Sequence, residues 1–250
     1  MTAKGKQRAD QALVERGLVE SRSKAQALIL AGKVYSGERR IEKAGEALRA
    51  DQPLSLRGQE HPWVSRGGMK LEKALEHFAI DPAGLVALDI GASTGGFTDV
   101  LLAGGAVRVY AVDVGQAQLA WKLRQDPRVV VLEKTNARHL TRQQVPEAIG
   151  LAVCDASFIG LEKVLPAGLA LTRPGASLIA LIKPQFEVGK GQVGKGGVVR
   201  DPEQHRAVCH RIEGWLNDLA DWTVLGVTES PIKGPEGNVE FLIAAQRGEG

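Results

Sequence analysis

The sequence predicts a doubly wound α/β fold of Rossmann type, preceded by a small α+β module. Three observations lead there. Short apolar runs near residues 85–90, 107–113, 128–132, 150–155 and 176–183 are mostly separated by stretches of helical spacing, as in a mostly parallel sheet covered on both faces. The run from Leu88 to Phe97, Leu-Asp-Ile-Gly-Ala-Ser-Thr-Gly-Gly-Phe, joins such a strand to a helix through a glycine-rich turn, which aims a helix amino end at a nucleotide-like cofactor. The 250 residues, 44% hydrophobic, suffice for one large domain and one small one.

In chain order, Leu13, Val14 and Leu18 follow helical spacing, and a second helix begins after Ser21 with Ala25, Leu28 and Ile29 on one face. Gly17 and Gly32 end these helices. Strand-like pieces follow at Lys33–Tyr35 and Leu54–Leu56, interrupted by Ser36-Gly37 and Ala44-Gly45. The polar, proline-bearing stretch Gly58–Pro62 marks a joint. The expected division is a small domain over 1–60, a linker over 61–64 and a second domain over 65–250. Beyond the joint, Leu71, Ala74, Leu75 and Phe78 mark a helix that precedes the strands. A long helix from Pro202 to Leu219 and strand-like runs near Thr223–Val227 and Val239–Ala245 end the chain. Two closing strands after the last helix suit the methyltransferase variant of the doubly wound fold.

Charge is unevenly spread. Residues 1–60 carry 12 lysines and arginines against 8 acids, and the remainder 20 against 21. A basic head on a near-neutral body suits nucleic-acid binding, although solubility alone also accounts for so small an excess. Cys154 and Cys209 make no disulfide framework, and no Cys/His cluster has zinc-ligand spacing, so no metal is expected. No apolar run approaches a membrane span and no apolar signal core follows the basic start. A cytoplasmic protein without a membrane partner is expected.

In the glycine-rich turn, Val86, Leu88 and Ile90 supply the strand, Gly91, Gly95 and Gly96 let backbone approach a ligand, and Phe97 begins the helix. The dinucleotide pattern Gly-x-Gly-x-x-Gly is not met, because Ser93 stands where the second glycine falls. Asp113, 24 residues beyond Asp89 at the end of the next strand, is placed to accept both hydroxyls of a ribose. Asn136, after the third strand, is placed to reach an adenine edge, and Asp89 to lie near an amino-acid end. With Ala92 and Ser93 completing the turn, these features favour S-adenosyl-L-methionine over a nicotinamide cofactor. The segment Gly189-Lys-Gly-Gln-Val-Gly-Lys195 has phosphate-loop spacing, but Gly196 replaces the required Ser or Thr. Residues 186–200 read instead as a mobile basic loop, with Lys190 and Lys195 toward RNA.

Four charged residues sit at element ends: Lys70 near the start of the first helix after the joint, Asp155 after the fourth strand, Lys183 after the fifth, and Glu240 within Gly237-Asn-Val-Glu-Phe241. In a doubly wound sheet the carboxyl ends of strands converge on the site. This constellation matches the Lys-Asp-Lys-Glu tetrad of ribose 2′-O-methyltransferases. A ribose hydroxyl is a poor nucleophile, so methyl transfer is helped by a base and by alignment of oxygen, carbon and sulfur; Lys183 is the candidate base. An ordinary lysine must fall by about three units, costing about 4 kcal/mol, to be mostly neutral near pH 7. A neighbouring lysine and burial favour that change, while carboxylates oppose it. Orientation of the hydroxyl, with late proton loss, is the alternative role.

The pattern Arg8-x-Asp10, Gly17-Leu18, Ser21-Arg22, Ala25, Ile29, Gly32-Lys33-Val34 resembles the small RNA-binding module, the alpha-L motif, of a primary small-subunit ribosomal protein and many pseudouridine synthases. The resemblance implies that Arg8, Arg22, Lys24 and Lys43 lie along RNA phosphates. Nearly the whole chain resembles the TlyA family, also labelled haemolysin A, within the FtsJ-like RNA methyltransferases. The motifs include Ser65-Arg-Gly-Gly-x-Lys70-Leu71, Asp113-Val114-Gly115, Thr135-Asn-Ala-Arg138, Asp155-x-Ser-Phe158-Ile159, Lys183-Pro-Gln-Phe-Glu187 and Gly237-Asn-Val-Glu240. The resemblance implies 2′-O-methylation of cytidine in ribosomal RNA, with the N-terminal module docking on a ribosomal subunit and no DNA partner. It places Val114, Asp155 and Phe158 at the cofactor, Phe158 alternatively at the target, and Arg66, Arg138 and Lys190 on RNA. Two departures stand out: His61-Pro62 precedes Trp63 where some relatives carry Arg-Ala, and the short tail after Arg247 resembles members that modify only large-subunit RNA. Two rival functions are a non-catalytic ribosome-assembly factor, which has no use for the tetrad, and a membrane-active haemolysin, which lacks a spanning or strongly apolar helix.

Overall fold

The computed structural model describes residues 6–19, 21–58, 61–189, 191–194 and 196–249. Apart from residues Ala120–Lys122, which group with the first unit, the chain divides between Pro62 and Trp63. In the first unit, helices α1 (Ala9–Glu15) and α2 (Arg22–Leu30) stand beside short strands β1 (Gln7–Arg8), β2 (Val34–Ser36), β3 (Arg39–Arg40), β4 (Ala47–Leu48) and β5 (Ser55–Leu56). The Ser21 hydroxyl accepts the Lys24 N–H at 3.2 Å and caps α2. Gly17 and Gly32 end the helices with φ of +68° and +69°, a region that favours glycine. Leu13, Ile29, Val34, Ile41 and Leu48 form this unit's core. Strands β1, β3 and β4 have two residues each, too short for the period-two alternation that marks a strand in sequence.

The second unit opens with α3 (Gly68–His77) and continues as β6 (Val86–Ile90), α4 (Gly96–Ala103), β7 (Arg108–Val112), α5 (Trp121–Arg124), β8 (Val129–Leu132), β9 (Ile149–Cys154), α6 (Leu161–Leu169), β10 (Thr172–Ile182), α7 (Pro184–Glu187), α8 (Pro202–Asp218), β11 (Trp222–Glu229) and β12 (Phe241–Arg247). Its strands form one sheet in the order β11-β12-β10-β9-β6-β7-β8. Strands β6 to β10 pair in parallel, and β12 runs antiparallel between β10 and β11. The strand order turns between β6 and β9, the switch point at which doubly wound sheets place ligands.

Differences from the sequence reading have local causes. Strand β10 begins at Thr172, earlier than its apolar run, and its pairing with β9 shifts register between Thr172 and Ser177. Strand β12 begins at Phe241 rather than Val239, because Asn238 is buried and spends its amide on backbone: Oδ1 accepts the Val199 N–H, and Nδ2 donates to the Gly197 and Pro235 carbonyls. The same bonds anchor one end of the segment 186–200, read from sequence as a mobile basic loop. Phe186 and Glu187 close α7, and Val198 and Val199 are buried. Lys190 and Lys195 lie outside the described residues.

Leu88, Ile90, Leu165, Leu178, Ile212 and Leu216 belong to the main core of the sheet and helices α6 and α8. Among the described residues, no helix is long and apolar enough to cross a membrane. Leu165 is fully buried in this core. Its replacement by alanine is expected to cost about 2–5 kcal/mol in urea unfolding, the range for buried leucine truncation; an unchanged midpoint would show that the site is not packed as described.

Candidate active site

The turn after β6 is shaped by its protein neighbours. Gly91 has φ +84°, and a Cβ there would lie 2.9 Å from Ala156 backbone. A Cβ on Gly95, φ +98°, would run into Leu119 and Leu123. Both glycines therefore admit other parts of the chain closely. Gly91 nevertheless lines a cavity of about 470 Å³ together with Ser93, Asp113, Val114, Asn136 and Phe158. A smaller cavity of about 250 Å³ is lined by Arg66, Lys70, Ala92, Gly96, Phe97, Lys183 and Glu240, among others. The two share Gly91, Ser93, Asp155 and Ser157, so they lie side by side at the ends of β6 and β9.

In the larger cavity, the Asp113 carboxylate accepts N–H groups of Ser93 at 2.8 Å and Gly115 at 2.7 Å, which fix its orientation. Asn136 Oδ1 accepts the Arg138 N–H at 3.1 Å, and Arg138 itself lines the cavity. Val114 and Phe158 expose apolar surface, and the Phe158 ring lies 5.0 Å from that of Phe186. Asp89 and Gly95 line neither cavity. Asp89 is buried, with Oδ2 accepting the Thr98 hydroxyl at 2.7 Å and Oδ1 without a hydrogen-bond partner among the described residues. Burial pushes its carboxyl up to about 7, against the Thr98 hydrogen bond and with help from the Asp155 and Asp113 charges.

The smaller cavity gathers the four charged residues. Strand register explains how: β12 pairs Phe241 with Ile182 of β10, and β10 pairs Ala180 with Cys154 of β9. The residues just beyond these strand ends, Glu240, Lys183 and Asp155, therefore converge, and α3 presents Lys70 to them. Lys70 Nζ donates to Glu240 Oε2 at 2.7 Å and to Asp155 Oδ2 at 3.5 Å. Lys183 Nζ lies 2.6 Å from Asp155 Oδ1 and donates to Ser157 Oγ at 3.1 Å and to the Asp155 carbonyl at 3.2 Å. Lys70, Lys183 and Glu240 are buried, and Asp155 keeps a fifth of its side chain exposed. Two ammonium groups and two carboxylates thus balance at the junction of the cavities.

Sequence reasoning gave no role to Ser157 or to Gln185, whose Nε2 donates to Glu240 Oε1 at 3.4 Å; their signal is a place in the motifs that carry Asp155 and Lys183. Arg66 lines the smaller cavity and donates to the Lys233 carbonyl at 3.2 Å. In the first unit, Arg8 and Arg22 both pair with Asp10, at 3.0 and 2.9 Å, and Lys24 and Lys43 are exposed. Among the described residues, no cluster of three or more His, Cys, Asp or Glu is arranged to hold a metal ion.

Residues 63–247 match the FtsJ-like methyltransferase family, and residues 7–53 match the S4 domain. The chain belongs to the FtsJ-like methyltransferase family and carries an S4 domain ahead of it. It is 50% identical over 237 residues to the 16S/23S rRNA (cytidine-2′-O)-methyltransferase TlyA of Mycobacterium tuberculosis, covering 94% of this chain and 88% of that one. It is 40% identical to Hemolysin A of Brachyspira hyodysenteriae, covering 94% and 98%. Among solved structures, the "Putative hemolysin from Streptococcus thermophilus" is 41% identical, with a TM-score of 0.74, covering 99% of this chain and 90% of that one.

The Asp89 carboxyl gives a pH test. Its folded value of about 7 lies above the roughly 3.9 of an unfolded aspartate. The native state therefore holds more protons than the unfolded chain between these values, and stability falls as pH rises from about 4 to about 7. Urea unfolding is expected to show that Asp89→Asn removes this decline; identical pH profiles for the two proteins would contradict it.

Proposed function

We propose that this protein is an S-adenosyl-L-methionine-dependent methyltransferase that modifies the 2′-hydroxyl of cytidine in ribosomal RNA, acting on ribosomal subunits in the cytoplasm. The observation that carries the reading is the Lys70–Asp155–Lys183–Glu240 cluster in a cavity that shares walls with the larger one. The names of the relatives support the substrate, and the S4 domain supports RNA docking.

The larger cavity fits S-adenosylmethionine by its donors and its size. Ligand sites commonly span about 300–1,000 Å³. Asp113 would take the ribose hydroxyls, Asn136 an adenine edge, and Val114 and Phe158 the faces of the base, with Phe158 also within reach of a target nucleotide. Ser93 and Gly91 would lie toward the methionine moiety, on the side of the smaller cavity. When bound, the cofactor supplies an electrophilic methyl group.

The remaining work falls to the chain. Lys183 is tethered through Asp155 and Ser157, so its nitrogen occupies one position rather than sampling the rotamers of a surface lysine. Once its ammonium has released a proton to water, the Lys183 amine would orient the ribose hydroxyl and accept its proton as the methyl group is transferred. Lys70 holds the Asp155 and Glu240 carboxylates in place while keeping the cluster neutral. Arg66 and Arg138, beside the two cavities, would contact the RNA backbone, as would Arg8, Arg22, Lys24 and Lys43 in the S4 domain. A non-catalytic assembly factor is not favoured, because a scaffold gains nothing from four charges assembled at a cavity wall.

Transfer of labelled methyl from S-adenosylmethionine to purified ribosomal subunits is expected for the wild-type protein. Lys183→Ala is expected to slow it by about 10²–10⁴-fold while subunit binding is retained; undiminished turnover would remove Lys183 from the chemistry. Arg22→Ala is expected to weaken subunit binding and to reduce its dependence on salt by about one phosphate contact. An unchanged salt slope would remove Arg22 from the RNA interface.

A further inference from the structure

Asp10 lies in the first turn of α1 and is fully buried, yet it is surrounded by donors from both helices of the first unit. Its Oδ1 accepts Arg8 Nε and the Gln11 N–H, each at 3.0 Å. Its Oδ2 accepts Arg8 Nη2 at 3.1 Å, Arg22 Nη2 at 2.9 Å and Gln26 Nε2 at 3.1 Å. The Arg8 guanidinium, together with Gln26 and Arg22, holds the carboxyl well below the usual carboxylate range despite its burial. Two cationic nitrogens bound to one oxygen are at most 6.0 Å apart, a separation that two guanidinium groups would resist by Coulomb repulsion without the anion between them. Both arginine side chains remain about half exposed, at 48% and 53%. Among the described residues, neither makes a further side-chain hydrogen bond or ion pair.

We propose that Asp10 is a positioning residue for RNA, holding Arg8 and Arg22 side by side as a paired guanidinium clamp on the sugar-phosphate backbone. The proposal rests on the reading of the S4 domain as the RNA-docking part of the chain. Each guanidinium presents a rigid fork of five N–H donors; Asp10 takes two from Arg8 and one from Arg22, and those left over are turned to a phosphate. The carboxylate touches no RNA itself and lowers the local positive charge by one. Positioning and simple attraction therefore predict opposite effects of removing its charge.

The experiment is equilibrium binding of the full-length protein to purified bacterial 30S and 50S subunits across a salt series, with far-UV circular dichroism and thermal unfolding as a check on folding. Asp10→Asn keeps the shape of the side chain and makes the protein more basic. It is expected to bind about tenfold more weakly, with a salt slope reduced by about one contact. The double variant Asp10→Asn/Arg22→Ala is expected to lose less than the sum of the two single losses, because part of what Asp10→Asn removes is the placement of Arg22; strictly additive losses would contradict the clamp. Arg22→Lys keeps the charge but loses the fork, and is expected to bind as poorly as Arg22→Ala; it decides the matter if Asp10→Asn does not fold. Equal or tighter binding by a folded Asp10→Asn variant, or wild-type binding by Arg22→Lys, would overturn the clamp. Wild-type binding by both Arg8→Ala and Arg22→Ala would instead overturn the docking reading, and the clamp with it.

Discussion

Lys70 and Glu240 stand 170 positions apart in the chain and meet at 2.7 Å in a place almost closed to water. Removing an ammonium and a carboxylate from water costs several kcal/mol each, and an apolar pair of similar volume would often be as stable. The pair endures because every neighbour supplies a compensating contact: Asp155 to Lys70, Gln185 to Glu240, and Lys183 to Asp155. The sheet must then be built so that these residues coincide. Only with β12 inserted antiparallel beside β10 does its starting end lie at the carboxyl edge of the parallel strands, which brings Glu240 next to Lys183. The closing strands thus supply the site with one of its charges as well as widening the sheet.

The same device recurs in the first unit. Asp155 sits between Lys70 and Lys183, and Asp10 sits between Arg8 and Arg22. In each case one carboxylate fixes two cations that would otherwise repel, leaving a small net charge and well-defined donor positions. Lysine suits the first location, where in the proposed reaction a compact amine meets a single hydroxyl. Arginine suits the second, where in the proposed clamp a planar fork meets phosphate oxygens.

Much of this was legible in the sequence. Continuous apolar runs such as Val86–Ile90 and Val109–Val112 can be buried on both faces only in a parallel sheet, and the polar residues just beyond them then have to face the site. That logic found Asp155 and Lys183 directly. Glu240 was reached by motif, because Val239 lies at strand spacing ahead of Phe241 and Ile243 and hides that the strand starts two residues later; Asn238 sets the boundary through contacts 39 and 41 residues away in sequence. The glycines of the turn were visible, but their neighbours Ala156, Leu119 and Leu123 come from other loops. Asp10 reads as an ordinary acid in a helix first turn, and only the packing of α1 against α2 reveals that it is buried and shared. Local patterns show in the sequence; partners brought from a distance do not.

The proposed chemistry has a ribose oxygen meet Lys183 beside the two cavities, and the position of the new methyl group reports on it most directly. Ribosomal subunits lacking the modification, incubated with the protein and S-adenosylmethionine, can be digested to nucleosides and mapped by mass spectrometry and by resistance of the ribose linkage to alkaline cleavage. The proposed function predicts 2′-O-methylcytidine at a discrete position in the treated RNA and nowhere in a control lacking the protein. A methyl group carried on a base instead, or no methyl group at all, would contradict it.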